Sequence, residues 1–304
     1  MKCVKLMIIC LALCIALTSQ VICEPSVQKV SSKSQIDWTD LLYTATGEGV
    51  IPSSKEEPSS ARAYLKAKGY ARMQAITNLL TAIEGTTISF EATGKDYMEE
   101  AIIRQRVEGY VRNVEVIDER KEQIGSDTLV IVTVRAPMYG QYAPGSVLLS
   151  QALNEEAKPD DVKVSLTADI RPEDADAPTS VRPSVDGEPY TCVIFNTVGY
   201  KLDRCMSPKI RRIDGSEVWG TIRVDQNFVL EHGIASYVTS MAEALKNSRC
   251  GANPLIIRAI GKAGGRFNSD LVISDADAQA LLAENAKCGF LDKLNVIIVE
   301  DGRL

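Results

Sequence analysis

The chain has one histidine, His232, no C-x-x-C pair, and neither of the phosphate-cradling loops G-x-G-x-x-G and G-x-x-x-x-G-K-[ST]. Each absence removes a class of chemistry. A Ser-His-Asp hydrolase would have to use His232 alone, with no G-x-S-x-G elbow to present its serine. A helix end or the surface accommodates that imidazole without special chemistry. Thiol redox catalysis lacks its motif, and so does a nucleotide-binding loop. Clustered positive charge is also missing: 34 basic residues face 40 acidic ones for a net charge of -6. Nucleic acid and anionic membrane surfaces need dense Lys and Arg to displace counterions, so neither is an expected partner.

What is present begins with an export signal. "MKCVKLMIICLALCIALTSQVICEPS" carries two lysines, an unbroken apolar run from Leu6 to Leu17, then Thr18, Ser19 and Gln20. That run is too short for a bilayer-spanning helix, which needs roughly 20 residues, and has the form of a secretory signal peptide. Residues 1–23 are read as that peptide, with cleavage between Cys23 and Glu24. The lipoprotein alternative would acylate Cys23, but Ile22 stands where a lipobox has a small residue. The mature chain is expected to be periplasmic or associated with the outer membrane, with no transmembrane span and no lipid anchor.

Four of the eight cysteines leave with that peptide, and Cys192, Cys205, Cys250 and Cys288 remain. Their spacing fits no compact zinc module, and no metal or other cofactor is expected. In an oxidising compartment they permit two disulfides in three connectivities, or buried free thiols; spacing alone does not choose.

The full sequence is 45% hydrophobic and 24% charged, a composition that buries cores, and its length suggests two folded units once the signal is removed. Residues 36–153 are read as an N-terminal α+β domain, 154–187 as an acidic, proline-rich linker, and 188–304 as a C-terminal α/β layer domain. Val27 to Ser34 is polar and expected to be loose. A strand is expected near Leu41 to Val50, with "GEG" as a turn or bulge. Pro58, Ser59 and Ser60 start a helix that Gly85 ends. Within it Tyr64, Ala67, Ala71, Ala75, Leu79 and Ala82 form a small-residue stripe suited to close packing on a sheet. "TTISFEA" reads as a strand and "YMEEAIIRQRVEGYV" as a shorter helix. Val114 to Arg120 and Thr128 to Arg135 read as a hairpin across "GSD". The order makes one sheet with the long helix packed on it.

The G-x-G after a strand, then "ARAYLKAKGYARMQAITNLLTAIEG" and "VEGYVRNVEVIDER" before "VIVTV", resembles the bacterial LPP-twenty-type lipoprotein family. It is similar also to the N-terminal domain of the flagellar assembly protein T family. The matching positions are Ala61, Arg62, Ala67, Ala71, Ala75, Asn78, Leu79, Ile83 and Gly85, then Gly109, Val111, Val114 and Val116, within about Leu42 to Pro137. The resemblance implies an exported, non-enzymatic envelope protein that assembles with outer-membrane or flagellar basal structures.

In the linker Val162 to Thr167 is a strand candidate, and the acidic residues follow no calcium-loop pattern. Beyond it, "YTCVIFNTVGYKL" reads as a strand and "SPKIRRIDGSEVWGTI" as a hairpin across Asp214-Gly215. A helix is expected from about Glu231 to Lys246, with Ile234, Val238, Met241 and Leu245 on one face. "NPLIIRAIGKAGG" and "SDLVIS" read as strands flanking a Gly-rich tip, and "DADAQALLAENAKCGFLD" as a helix that Ser274 and Asp277 cap. "LNVIIVED" closes as a strand buried on both faces. With "MSPKI", "GSEVWG", "NPLIIRA" and "DLVISDADA" the second unit is similar to the C-terminal portion of longer exported proteins with the same first domain, a resemblance that carries no functional implication.

Two functions compete. In the first the protein is a non-enzymatic envelope interaction module with protein partners of the outer membrane or flagellar base. In the second it is a periplasmic small-ligand-binding or enzymatic module, with a ligand loop of Lys262, Asp275 and Asp277 in the C-terminal domain. Helix-end electrostatics already explain the two aspartates, and no helix follows the "GKAGG" loop to complete an anion cradle.

Overall fold

Alternating residues of one strand, Tyr43, Ala45, Gly47 and Gly49, are buried beneath a long alanine-lined helix, and this contact organises the first half of the molecule. The computed structural model describes residues 26–51, 60–84, 86, 114–140, 143, 164–166, 188–220, 229, 233–264 and 268–301. Strands β1 (Val27–Ser31), β2 (Ser34–Asp37), β3 (Leu42–Ile51), β4 (Glu115–Ile124) and β5 (Asp127–Pro137) form an antiparallel sheet in the order β1-β2-β3-β5-β4. Helix α1 (Ser60–Glu84) lies across it.

The helix comes close because nothing projects between it and the strand. Ala63, Ala67, Ala71, Ala75, Leu79 and Ala82 are its buried stripe. A methyl group on Gly47 would sit 2.1 Å from the Ala71 carbonyl oxygen, and one on Gly49 would sit 2.1 Å from that of Ala67. "GEG" is therefore neither turn nor bulge: Gly47, Glu48 and Gly49 stay in register with Val132, Ile131 and Val130 of β5. Tyr64 is not part of the stripe, which Ala63 begins instead; its ring lies under the Lys121 ammonium at 3.9 Å and its hydroxyl donates to Glu119. Past residue 45 β3 has outrun β2, and α1 supplies partners for the freed backbone. Asn78 Nδ2 donates to the Thr46 carbonyl (2.7 Å) and Glu48 N–H to Gln74 Oε1 (2.6 Å).

The segment expected to be loose is β1 and the approach to β2. Its residues do not form an apolar run, yet β1 pairs with β2 from Val27↔Asp37 to Ser31↔Ser34. The hairpin β4–β5 forms as expected, turning at Gly125 with φ of 60°. Pro58, Ser59, Gly85, the segment "TTISFEA" after its first residue, Thr86, and the segment "YMEEAIIRQRVEGYV" lie outside the described residues.

The second half holds two more sheets. The parallel one has the order β10-β14-β7-β11, from β7 (Cys192–Asn196), β10 (Ser236–Val238), β11 (Pro254–Arg258) and β14 (Val296–Val299). The other runs β6-β12-β13-β8-β9, from β6 (Val164–Leu166), β8 (Ile210–Arg211), β9 (Glu217–Trp219), β12 (Gly261–Ala263) and β13 (Asp270–Val272). The expected linker thus contributes β6 as an edge strand paired to β12. The helix expected over Glu231 to Lys246 is instead β10 followed by the single turn α2 (Met241–Ala244), capped by the Ser240 hydroxyl. Ile234 to Val238 are all buried, so their helix-like spacing with Met241 and Leu245 was the run of a buried strand. Helix α3 (Asp275–Cys288) starts at Ser274, whose side chain accepts from Asp277 N–H, and ends on left-handed Gly289. The final strand β14 is buried throughout, at an inner position of its sheet. The protein is α+β: a sheet with one long helix packed on it, and a C-terminal α/β region with a parallel sheet.

The halves share one core. Trp38 meets Tyr237 edge to face, with ring centroids 5.5 Å apart. The Tyr43 hydroxyl points at the Met206 sulfur (4.0 Å), and the Tyr139 ring packs against Gly233 where a side chain would collide with it. One buried cluster runs from Ile36, Leu79 and Ile83 to Phe195, Leu255 and Phe290.

Candidate functional site

Parallel α/β sheets place ligands in the crevice beyond the carboxyl ends of their strands. At that end of this sheet the chain sets its own backbone donors and carboxylates against one another. After β7 the backbone turns through Gly199 (φ 98°) and Lys201 (φ 47°), and its N–H groups converge on one point. The occupant is Asp301, just past β14, which accepts from Gly199 N–H at 3.0 and 2.9 Å and from Lys201 N–H at 3.4 Å. Beside it Glu300 accepts from Arg204 Nε and from the Ser26 hydroxyl (3.0 Å). The side chains of Arg204 and Glu300 are 1% and 2% exposed, and Arg204 Nη1 has no hydrogen-bond partner among the described residues. The residue leading into β1 is thus tied to the residue that follows β14.

The residues singled out from the sequence as a ligand loop take structural positions. Lys262 lies in the middle of β12, opposite Leu271 and Ser165, on a strand rather than on a flexible tip. Asp275 pairs with Arg212 Nη1 at 3.1 Å. Asp277 is fully buried and accepts from the Ser274 hydroxyl at 2.8 Å, which completes the helix cap. Nearby, Asp270 is buried against Arg211 Nε at 2.6 Å. Burial raises the Asp270 carboxyl above the usual carboxylate range, and Arg211 partly opposes that shift.

The four cysteines among the described residues are unbridged in this structure: Cys192, Cys205 and Cys250 buried, Cys288 half-buried. The Tyr237 hydroxyl accepts from Cys205 N–H and donates to the Cys205 carbonyl, each at 3.1 Å. Burial, and the nearby Asp270, push the Cys205 thiol up to about 12, so it has no thiolate character at neutral pH. Cys288 borders a cavity of about 420 Å³ lined also by Tyr190, Thr191, Lys287, Phe290 and Asn295. This cavity is at the amino ends of β7 and β14, opposite the end where such sheets bind ligands. Its polar groups are engaged: Lys287 Nζ with Glu284 (3.0 Å), Asn295 Nδ2 with the Thr191 carbonyl (2.9 Å). Among the described residues no group of three or more His, Cys, Asp or Glu side chains is placed to hold a metal ion. His232, Cys23 and Glu24 lie outside the described residues.

The remaining feature is apolar and outward. Leu65, Tyr70 and Met73 on α1 are 65%, 59% and 62% exposed. Leu65, Gly69 and Met73 follow at four-residue steps and so share one stripe, on the side away from the alanines. Nothing lies within 4 Å of where a Gly69 side chain would begin. On the same sheet unit Val50 is exposed, and edge strand β4 exposes Val116, Ile117 and Ile124. Reading α1 for its alanine period alone misses this second stripe, although the same spacing in the sequence carries it. No helix among the described residues is long and apolar enough to cross a membrane.

No curated protein matches the chain. Residues 192–302, from the first residue of β7 to just past β14 and less than half of the chain, are similar to the family described as the second domain of Treponema pallidum Tp0624.

Proposed function

We propose that this protein is an exported, non-enzymatic component of the bacterial cell envelope that acts as an interaction and assembly module. Its partners are proteins of the outer membrane or of flagellar basal structures, and it meets them through the outer face of α1. The observation that carries this reading is the solvent-facing Leu65, Tyr70 and Met73 on a helix whose opposite face already builds the core. Exposed apolar groups gathered on one element mark interaction surfaces more often than isolated ones do. In the C-terminal half the carboxylates at the carboxyl end of the parallel sheet, Asp301 and Glu300, are already engaged by the Gly199 N–H and by Arg204 and Ser26. The N-terminal signal pattern supports export.

The test is recovery of the tagged full-length protein from cross-linked envelopes. A defined partner, co-fractionating with outer-membrane or flagellar structures, is the expected result. A protein that stays free of envelope assemblies and recovers no partner overturns the reading.

A further inference from the structure

We propose that Cys192 and Cys250 are a disulfide pair, formed by exchange with a disulfide oxidant, and that Cys205 and Cys288 remain thiols. The proposal rests on the export reading for its oxidising compartment.

Strand alternation aims the pair at one another. Along β7, Val193 and Phe195 enter the large core, while Cys192 and Ile194 face the other way. There they join a small cluster of Val238, Ala244, Ile297, Val299 and Cys250. The turn from Cys250 to Asn253 is held against the start of β7 by Thr191. Its N–H donates to the Asn253 carbonyl (2.8 Å), its hydroxyl donates to the Cys250 carbonyl (2.6 Å), and Asn253 N–H donates back to the hydroxyl (3.0 Å). Gly251 makes the closeness possible, because a side chain there would strike Thr191 at 2.7 Å. With the backbones clamped, the Cys192 and Cys250 side chains are both buried, in the same small cluster. Cys205 is held by Tyr237, and Cys288 lies at the far end of α3 beside the cavity.

In the exchange, one cysteine thiolate attacks a sulfur of the oxidant's disulfide and expels a thiolate, which takes up the proton the cysteine gave up. The second cysteine thiolate then attacks the mixed disulfide and expels the oxidant's other sulfur as a thiolate, which is protonated in turn. Two protons and two electrons leave the cysteine pair, and the oxidant's disulfide becomes two thiols. Burial of both sulfurs, which raises the Cys192 thiol, means that this happens before the C-terminal half has closed.

The experiment refolds the reduced, denatured full-length chain in a mixture of glutathione and glutathione disulfide. Remaining thiols are alkylated in denaturant, and the protein is digested without reduction for mass spectrometry. A cross-linked species joining the Cys192 and Cys250 peptides is expected, with Cys205 and Cys288 alkylated. Alkylation of Cys192 and Cys250, or a bond from either to another cysteine, overturns the proposal. As a second measurement, reductant lowers the melting temperature of the oxidised protein and leaves that of the Cys192→Ala/Cys250→Ala variant unchanged; an unmoved oxidised protein also overturns it. The same peptide map on protein taken from its native cells separates the two readings. A pair that links on refolding but is wholly thiol in cells overturns export, while the pairing stands.

Discussion

Gly47 of β3 lies directly beneath Ala71 of α1, so close that its missing side chain would meet the Ala71 carbonyl oxygen at 2.1 Å and the Ala75 nitrogen at 2.3 Å. Backbone cannot yield as a flexible side-chain end can, so Gly47→Ala must lift the helix or bend the strand. The expected loss is about 1–3 kcal/mol or more, as for overpacking of a tight core. Gly69→Ala is the opposite case, on the same helix, with open space around it. It should gain up to about 1 kcal/mol from helix propensity. Denaturant unfolding of both variants checks the pair, and equal effects would contradict the close-approach account.

The Trp38–Tyr237 contact lies in a core that the two halves share, so they are expected to unfold as one cooperative unit. The protein has two tryptophans, and the other, Trp219, is in β9 of the C-terminal half. Fluorescence of Trp38→Phe therefore follows the C-terminal half, and that of Trp219→Phe the N-terminal half. The two unfolding curves of each protein, by fluorescence and by far-UV circular dichroism, are expected to coincide. Trp38→Ala should cost about 3–5 kcal/mol and lower both halves together.

Glu300 neutralises a guanidinium that is almost wholly out of water. Removing the carboxylate by Glu300→Ala leaves Arg204 charged and buried, for an expected loss of about 3–5 kcal/mol. The double variant Arg204→Met/Glu300→Leu should recover most of it. Chemical denaturation of the three proteins provides the comparison.

Stability should fall in alkali. Burial raises the phenols of Tyr43, Tyr139 and Tyr237, and pushes the Cys205 thiol up to about 12 from an ordinary 9. Below the ordinary values these groups are neutral whether folded or unfolded, and their contribution is fully present. Above pH 9 the unfolded chain loses their protons while the folded one holds them, so unfolding is favoured progressively. Melting temperature should drop from pH 9 upward. Absorbance near 295 nm should show Tyr43, Tyr139 and Tyr237 ionising only as the protein unfolds, with their Phe variants each removing one such tyrosine from the late phase.

Local pattern made much of this fold legible. The strand at Leu41, the long helix, the β4–β5 hairpin, the Ser274 cap and the buried last strand all follow from period, turn chemistry and capping. What pattern missed depended on partners distant in the chain. Gly47 and Gly49 resemble a turn until a helix is laid over them. Val27 to Ser31 has no apolar run because β1 is a half-exposed edge strand. Ile234, Val238, Met241 and Leu245 carry a helical period by coincidence, across a strand and one turn of helix. The candidate site was less legible still. Ser26, Arg204 and Glu300 meet from opposite ends of the chain, and no spacing rule could join them. The Leu65 and Met73 stripe was readable, but the alanines on the other face of the same helix drew the reading inward.

The claim on which the functional account depends is that the outer face of α1 docks a protein partner in the envelope. Leu65→Glu/Met73→Glu changes only exposed side chains, and should fold with a melting temperature close to that of the unaltered protein. Recovery of envelope partners by the full-length double variant, side by side with the unaltered protein, is the direct measurement. The account predicts that the unaltered protein recovers a defined partner and the variant at most a tenth as much. Equal recovery of that partner by the two proteins would contradict it.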